Sequence, residues 1–186
     1  MPRAGLTRAV IAAGAAELAD SSGWDQLTLA AVAARFGVRQ PSLYKHVAGL
    51  SELRRDVSVL AGRELHQELT AAAVGKSGAD ALQAMGDAYR TFARKHPGRY
   101  EACIIAPPPG DTEYQQVADA VVQTITAVLG SYGLTGDDAV HAIRGLRALM
   151  HGFVSLEAAG GFAYPQDLDE SYRRMLDGFA QSLAKR

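Results

Sequence analysis

Apolar residues in this chain recur at steps of three and four, and no stretch of useful length alternates at the step of two that a half-buried strand needs. From Leu6 to about Asp20, Ile11, Ala15 and Leu18 share one helical face, and "DSSGW" then stops the pattern with polar residues and a Gly. Further helical patterns run at about 28–36, onward from 39, and at about 51–73, 79–95, 97–105, 112–132, 136–160 and 167–184. They are broken by "VGKSGAD", "KHPG", "APPPGD", "YGLTGDD" and "GGFAYPQD", rich in residues that end helices. The expected fold is all-α, with about nine helices. A three-helix head over 1–50 is joined by a long fourth helix, with Leu53, Val57, Leu60, Leu65 and Leu69 inward, to a bundle over 51–186.

Charge is uneven along the chain. The formal net charge of -1 argues against a nucleic-acid partner only if it is spread evenly. Residues 1–55 carry Arg3, Arg8, Arg35, Arg39, Lys45, Arg54 and Arg55 against Glu17, Asp20, Asp25 and Glu52, which leaves this N-terminal third, the head and the start of the fourth helix, at +3 and the remainder near -4. Such a head can meet phosphates while the body does not. No apolar run approaches the roughly 18 residues a membrane span needs. The opening "MPRAGLTRAV" lacks the apolar core of a signal peptide, so the expected location is the cytoplasm, without a membrane partner. Cys103, the single cysteine, cannot close an intrachain disulfide and reads as a small buried apolar group.

The stretch "LTLAAVAARFGVRQPSLYKHV", Leu27 to Val47, carries the functional signal. It reads as a short helix capped by Thr28, a turn at Gly37 with Val38 beneath it, and a third helix opening near Arg39 with Pro41 in its first turn. Two helices so joined can place the second in a DNA major groove while the first braces it. Thr28 and the free amides behind it can hold a phosphate. Arg39, Gln40, Pro41 and Ser42 are expected to face base edges, Arg and Gln being able to read guanine and adenine by paired hydrogen bonds. Tyr44, Lys45 and His46 are expected to reach phosphates, and Leu43, on the opposite face, to be core. On periodicity alone the segment reads equally well as a solvated helix with a few polar residues.

From Ile11 to about Leu53 the chain resembles the DNA-binding head of the tetracycline-repressor (TetR-like) family of bacterial transcription regulators. Ala15, Leu18, Gly23 and Thr28 fall at the family's spacing, and "VAARFGVRQPSLYKHV" is similar to its helix-turn-helix with the recurring Leu-Tyr-x-His. Two positions depart from the pattern: Arg39 stands where the family usually has Ser, and Val47 where it has an aromatic. "RALMHGFVSLEAAGGF", Arg147 to Phe162, resembles the C-terminal segment of a subgroup named for a Trp/His-His-Gly-like motif, here His151-Gly152.

The resemblance implies a homodimer whose C-terminal helices form a pocket for a small-molecule effector and a two-fold interface. Its mode of action would be that of a repressor released from a palindromic double-stranded DNA operator. Read for themselves, His141, Gly145, Ala148, Gly152, Ser155 and Ala159 form a stripe of mostly small side chains, beside a large one of Ile143, Leu146, Met150 and Phe153. Leu168, Tyr172, Met175 or Leu176, Phe179 and Leu183 make an apolar seam. The dimer candidates are Gly145, Ala148, Gly152, Ser155, Tyr172, Met175, Phe179 and Leu183, although ordinary intrachain packing also explains such stripes. The pocket candidates combine bulk with a polar tip or neighbour them: Tyr89, Phe92, Tyr100, Cys103, Met150, His151, Phe153 and Glu157. A buried Glu157 needs a partner, either Arg144 or Arg147 or a ligand.

Enzyme signatures are absent from the sequence. "VGKS" at 74–77 resembles the end of a phosphate-binding loop, but the earlier glycine would have to stand at Thr70. His46, His66, His96, His141 and His151 show no metal-ligand spacing, so no catalytic residue, metal or cofactor is expected. The competing reading is a helical ligand-binding or protein-interaction bundle whose head no longer reads DNA.

Overall fold

The computed structural model describes residues 5–184, and Arg3, counted above in the basic head, lies outside them. These residues form eight α-helices and one 3-10 helix, with no strand among them. The helices are α1 Arg8–Ser22, α2 Leu29–Arg35, the 3-10 helix Gln40–Lys45 (η1), α3 Leu50–Ala73, α4 Gly78–Lys95, α5 Pro97–Cys103, α6 Thr112–Gly130, α7 Gly136–Ala158 and α8 Leu168–Ala184. They divide into two compact units. The first holds the described residues up to Glu64 with Lys95–Ala118, and the second holds Leu65–Arg94 with the residues from Asp119 on.

In the first unit, Thr7 caps α1 by accepting the Val10 amide at 3.2 Å, and Gly23, at φ 94°, ends the helix in a conformation other residues rarely adopt. Ile11, Ala15, Ala16, Val32, Leu43, Leu53 and Val57 close a core in which Leu60 is only partly buried. A Leu-sized side chain buried here contributes about 1.5–3 kcal/mol. Two glycines let backbones approach closely: a Cβ on Gly14 would meet the Phe36 ring at 2.4 Å, and one on Gly98 the Ala19 carbonyl carbon at 2.2 Å. The second contact seats α5 on the end of α1. There Asp20 also accepts the Arg99 backbone amide at 2.9 Å and its guanidinium at 2.7 Å.

The first unit's helices α1, α3 and α6 are tied by charge. Arg8 on α1 pairs with Asp56 at two 2.6 Å bonds and with Glu52. Neighbouring Arg55 holds Asp111 at 2.6 and 2.7 Å and Glu113 at 2.6 Å. Asp111 in turn accepts the Tyr114 amide at 3.1 Å.

The second unit buries Leu82, Met85, Tyr89, Phe92, Leu129, Leu146, Met150, Phe153, Tyr172, Leu176 and Leu183. Leu65 and Leu69 of α3 are also buried, 5% and 1% exposed. Tyr172 donates its hydroxyl to Gly86 O at 2.9 Å, and a Cβ on Gly86 would meet Leu176 at 2.3 Å.

Candidate nucleic-acid interface

Thr28 starts α2 in extended backbone, φ -132°, and its hydroxyl accepts the Ala31 amide at 3.2 Å. The turn after α2 passes through Gly37 at φ 63°, with Val38 partly buried against the core. The third helix of the head is not an α-helix. Arg39 caps it in extended backbone without a side-chain bond, and the amides of Ser42 and His46 reach back three residues, to Arg39 O at 2.9 Å and Leu43 O at 2.8 Å. Pro41 stands in its first turn, and no side chain caps the six-residue segment.

The segment is sorted by burial. Leu43 is 0% exposed and Val47 2%, so Val47 fills the core position that an aromatic would otherwise take. Arg39, Gln40, Pro41, Tyr44 and Lys45 are exposed, while Ser42 and His46 are half-buried. Gln40 Nε2 donates to the Tyr44 hydroxyl at 3.4 Å.

The head's cations separate into two classes. Arg8 and Arg55 are held in the charge network above, Arg35 pairs with Glu17, and Arg54 reaches the carbonyls of Trp24 and Asp25 at 3.5 and 3.3 Å. Among the described residues, Arg39 and Lys45 make no ion pair, and both lie on the exposed face of η1. Among the described residues, the segment expected to meet DNA thus presents two exposed cations that are not neutralised by a carboxylate. Arg54, which sequence reasoning did not single out, lies 5.4 Å over the Trp24 ring and fixes the turn that leads into Thr28.

Across the rest of the chain the sequence-nominated residues are not brought together as one set. Tyr100 is buried in the first unit, where Cys103 is half-buried and donates its thiol to Tyr100 O at 3.4 Å. Tyr89, Phe92, Met150 and Phe153 are buried in the second unit, and His151 is half-buried there. Glu157 has a partner other than the two arginines expected. Arg90, whose side chain is 9% exposed, meets it at 2.6 and 2.8 Å and also reaches Asp169 at 2.8 Å. The guanidinium lies 5.3 Å from the Phe153 ring centre and 5.1 Å from that of Tyr172. It holds the Glu157 carboxyl below the usual range, and burial pushes the Tyr172 hydroxyl up. Arg144 and Arg147 share α7 with Glu157, whereas Arg90 arrives from α4. A cleft of about 490 Å³ opens beside it, lined with Gln83, Thr91, Arg94 and Asp167.

Of the dimer candidates, Tyr172 and Leu183 are packed inside their own unit at 1% and 6% exposure, because the α8 seam faces α4 and α7 of the same chain. Gly145 lies against Phe179, where a Cβ would be 3.5 Å from the ring. Ala148 and Ser155 are exposed, and Gly152, Met175 and Phe179 half-buried. Leu149 and Leu156 are exposed beside them. Among the described residues no cluster of His, Cys, Asp and Glu could hold a metal ion, and no helix is long and apolar enough to cross a membrane.

The chain resembles known proteins in sequence and in fold. Residues 82–179 match the family described as tetracyclin repressor-like, C-terminal domain. The chain is 40% identical to the HTH-type transcriptional regulator Rv0681 of Mycobacterium tuberculosis over 83% of this chain and 72% of that protein. The chain belongs to the TetR-like family of transcriptional regulators. A second such regulator, YobS of Bacillus subtilis, is 36% identical over 98% of this chain and 95% of its own. A solved structure from Rhodococcus sp. RHA1, 23% identical, shares the fold with a TM-score of 0.80 over 98% of both chains. The relatives of this TetR-like chain are regulators and not enzymes.

Proposed function

We propose that the protein is a cytoplasmic, homodimeric, ligand-responsive transcription regulator, a repressor released from a palindromic operator by a small molecule. Residues 1–50 would read DNA, and 51–186 would bind the effector and the second copy. One observation carries the reading: Leu43 anchors η1 in the core while Arg39, Gln40, Tyr44 and Lys45 stand exposed beside it, two of them cations that make no ion pair among the described residues. Arg39 and Gln40 address base edges, and Thr28, Tyr44, Lys45 and His46 address phosphates. Two heads one helical turn apart, about 34–36 Å, would match the half-sites.

Release is a population shift. An effector that binds better when the heads are spread lowers operator affinity by its differential binding energy, typically about 1–3 kcal/mol. The second unit, which buries Tyr89, Met150 and Phe153 and sets the Arg90 guanidinium of the Arg90–Glu157 pair over the rings of Phe153 and Tyr172, is where we place the effector-binding residues.

The test is fluorescence anisotropy with the DNA flanking the protein's own gene and a scrambled duplex, at about 50 and 200 mM salt. Tight, selective binding with one dimer per site is expected. Lys45→Ala should weaken both duplexes alike and lower the salt slope by about 1, while Arg39→Ala should change sequence preference. Absence of binding to any duplex at low salt would sink the proposal in favour of a bundle that does not read DNA.

A further inference from the structure

The reading above gives Gln40 and Tyr44 separate duties, one toward bases and one toward phosphates. Their side chains are nevertheless bonded, Gln40 Nε2 donating to the Tyr44 hydroxyl at 3.4 Å. We propose that Tyr44 is a specificity-positioning residue that sets the orientation of the Gln40 carboxamide and thereby makes Gln40 select adenine over guanine. The inference rests on the DNA-facing reading of residues 39–46.

Counting hydrogens decides which end of the carboxamide meets the phenol. A phenol has one hydrogen to donate and an oxygen that accepts, while a carboxamide has two N–H donors at one end and a carbonyl acceptor at the other. When Tyr44 donates its hydrogen to a phosphate oxygen, its own oxygen can only accept, so Gln40 must present its NH2 end to it. One N–H is then spent on Tyr44. What remains for a base is one N–H and the carbonyl oxygen, the pair that complements the N7 acceptor and N6 amino group of adenine. Guanine offers two acceptors, N7 and O6, and would need both N–H groups. The reversed carboxamide would supply them, but its carbonyl would then require the phenol hydrogen that the phosphate has taken. Arg39, the adjacent residue, carries donors only and covers guanine instead.

The phosphate contact thus fixes the base contact. Tyr44 is 53% exposed, so removing its hydroxyl leaves the packing of the segment to Leu43, at 0%.

The test begins with selection of a binding site from random-sequence DNA by the full-length protein. Affinities are then measured for wild type, Tyr44→Phe, Gln40→Ala and the double variant, on the selected duplex and on duplexes with each A·T pair replaced by G·C. Wild type should lose about tenfold at one such pair. That preference should vanish in both single variants, with no further change in the double, and unchanged melting temperatures should show all four folded. If Tyr44→Phe weakens every duplex equally and keeps the adenine preference, the proposal is overturned while the DNA-facing reading stands. A site at which Gln40→Ala alters no base preference overturns it likewise. Failure of the folded wild type to select any sequence would overturn the DNA-facing reading and this inference together.

Discussion

Gly98 and Gly152 have no side chain, yet they answer to different physics. A Cβ on Gly98 would sit 2.2 Å from the Ala19 carbonyl carbon, backbone that cannot swing aside, whereas a Cβ on Gly152 meets nothing within 4 Å. Gly98→Ala should therefore destabilise the protein by about 2–3 kcal/mol, as overpacking of a tight contact does, and Gly152→Ala should leave the chain's own fold unchanged. Urea unfolding of the two variants checks this, and equal midpoints would contradict it. Arg90 gives the corresponding test for charge. Arg90→Met leaves Glu157, 16% exposed at its side chain, without its cation, at a cost of about 3 kcal/mol. Asp169→Asn, at a carboxylate 76% exposed, should cost well under about 1 kcal/mol. Neither contrast was legible in the sequence. A lone Gly carries no sign of what lies opposite, and Arg90 stands 67 residues from Glu157.

Among the elements, the helix boundaries were legible because each break is chemical. Thr28 does cap its helix, and Gly37 does turn the chain at positive φ. The winding of residues 40–45 was not legible, since six residues are too few for a period of 3.0 to be told from 3.6. The charge network of α1, α3 and α6 was also hidden, its partners being set by tertiary approach. Its titration is testable. The Arg55 guanidinium and the Tyr114 amide hold the Asp111 carboxyl down at about 2, below its ordinary 3.8. A carboxyl depressed in the folded state stabilises fully above its unfolded value and loses that contribution as pH falls through the folded one. Asp111→Asn keeps an acceptor for the Tyr114 amide but removes the titrating group. The variant should be less stable than wild type at pH 7, and the difference should shrink between about pH 4 and pH 2. Thermal melts across that range check it, and a difference independent of pH would refute the assignment.

For the whole molecule, a helical stripe tells which residues share a face and leaves open which surface covers that face. The α8 seam through Tyr172 and Leu183 proved to be filled from within the chain. One face of α7 leaves Ala148 and Ser155 exposed with Leu149 and Leu156, the two leucines 39% and 51% exposed. Small residues interleaved with exposed leucines suit a second helix at close range, and in a two-fold contact each residue would act twice. Leu156→Glu should therefore convert a dimer into a monomer in light scattering, with the far-ultraviolet circular dichroism unchanged because a half-exposed side chain contributes little to its own chain's core. The consequence for DNA follows from linkage of two heads. A monomer binds one half-site as wild type does, but it loses the intramolecular second contact, which is worth roughly a hundredfold or more in apparent affinity. On a palindromic duplex Leu156→Glu should bind at least about a hundredfold more weakly than wild type, and on an isolated half-site equally well. Equal affinity on both duplexes, with the variant still dimeric, would move the interface away from this face.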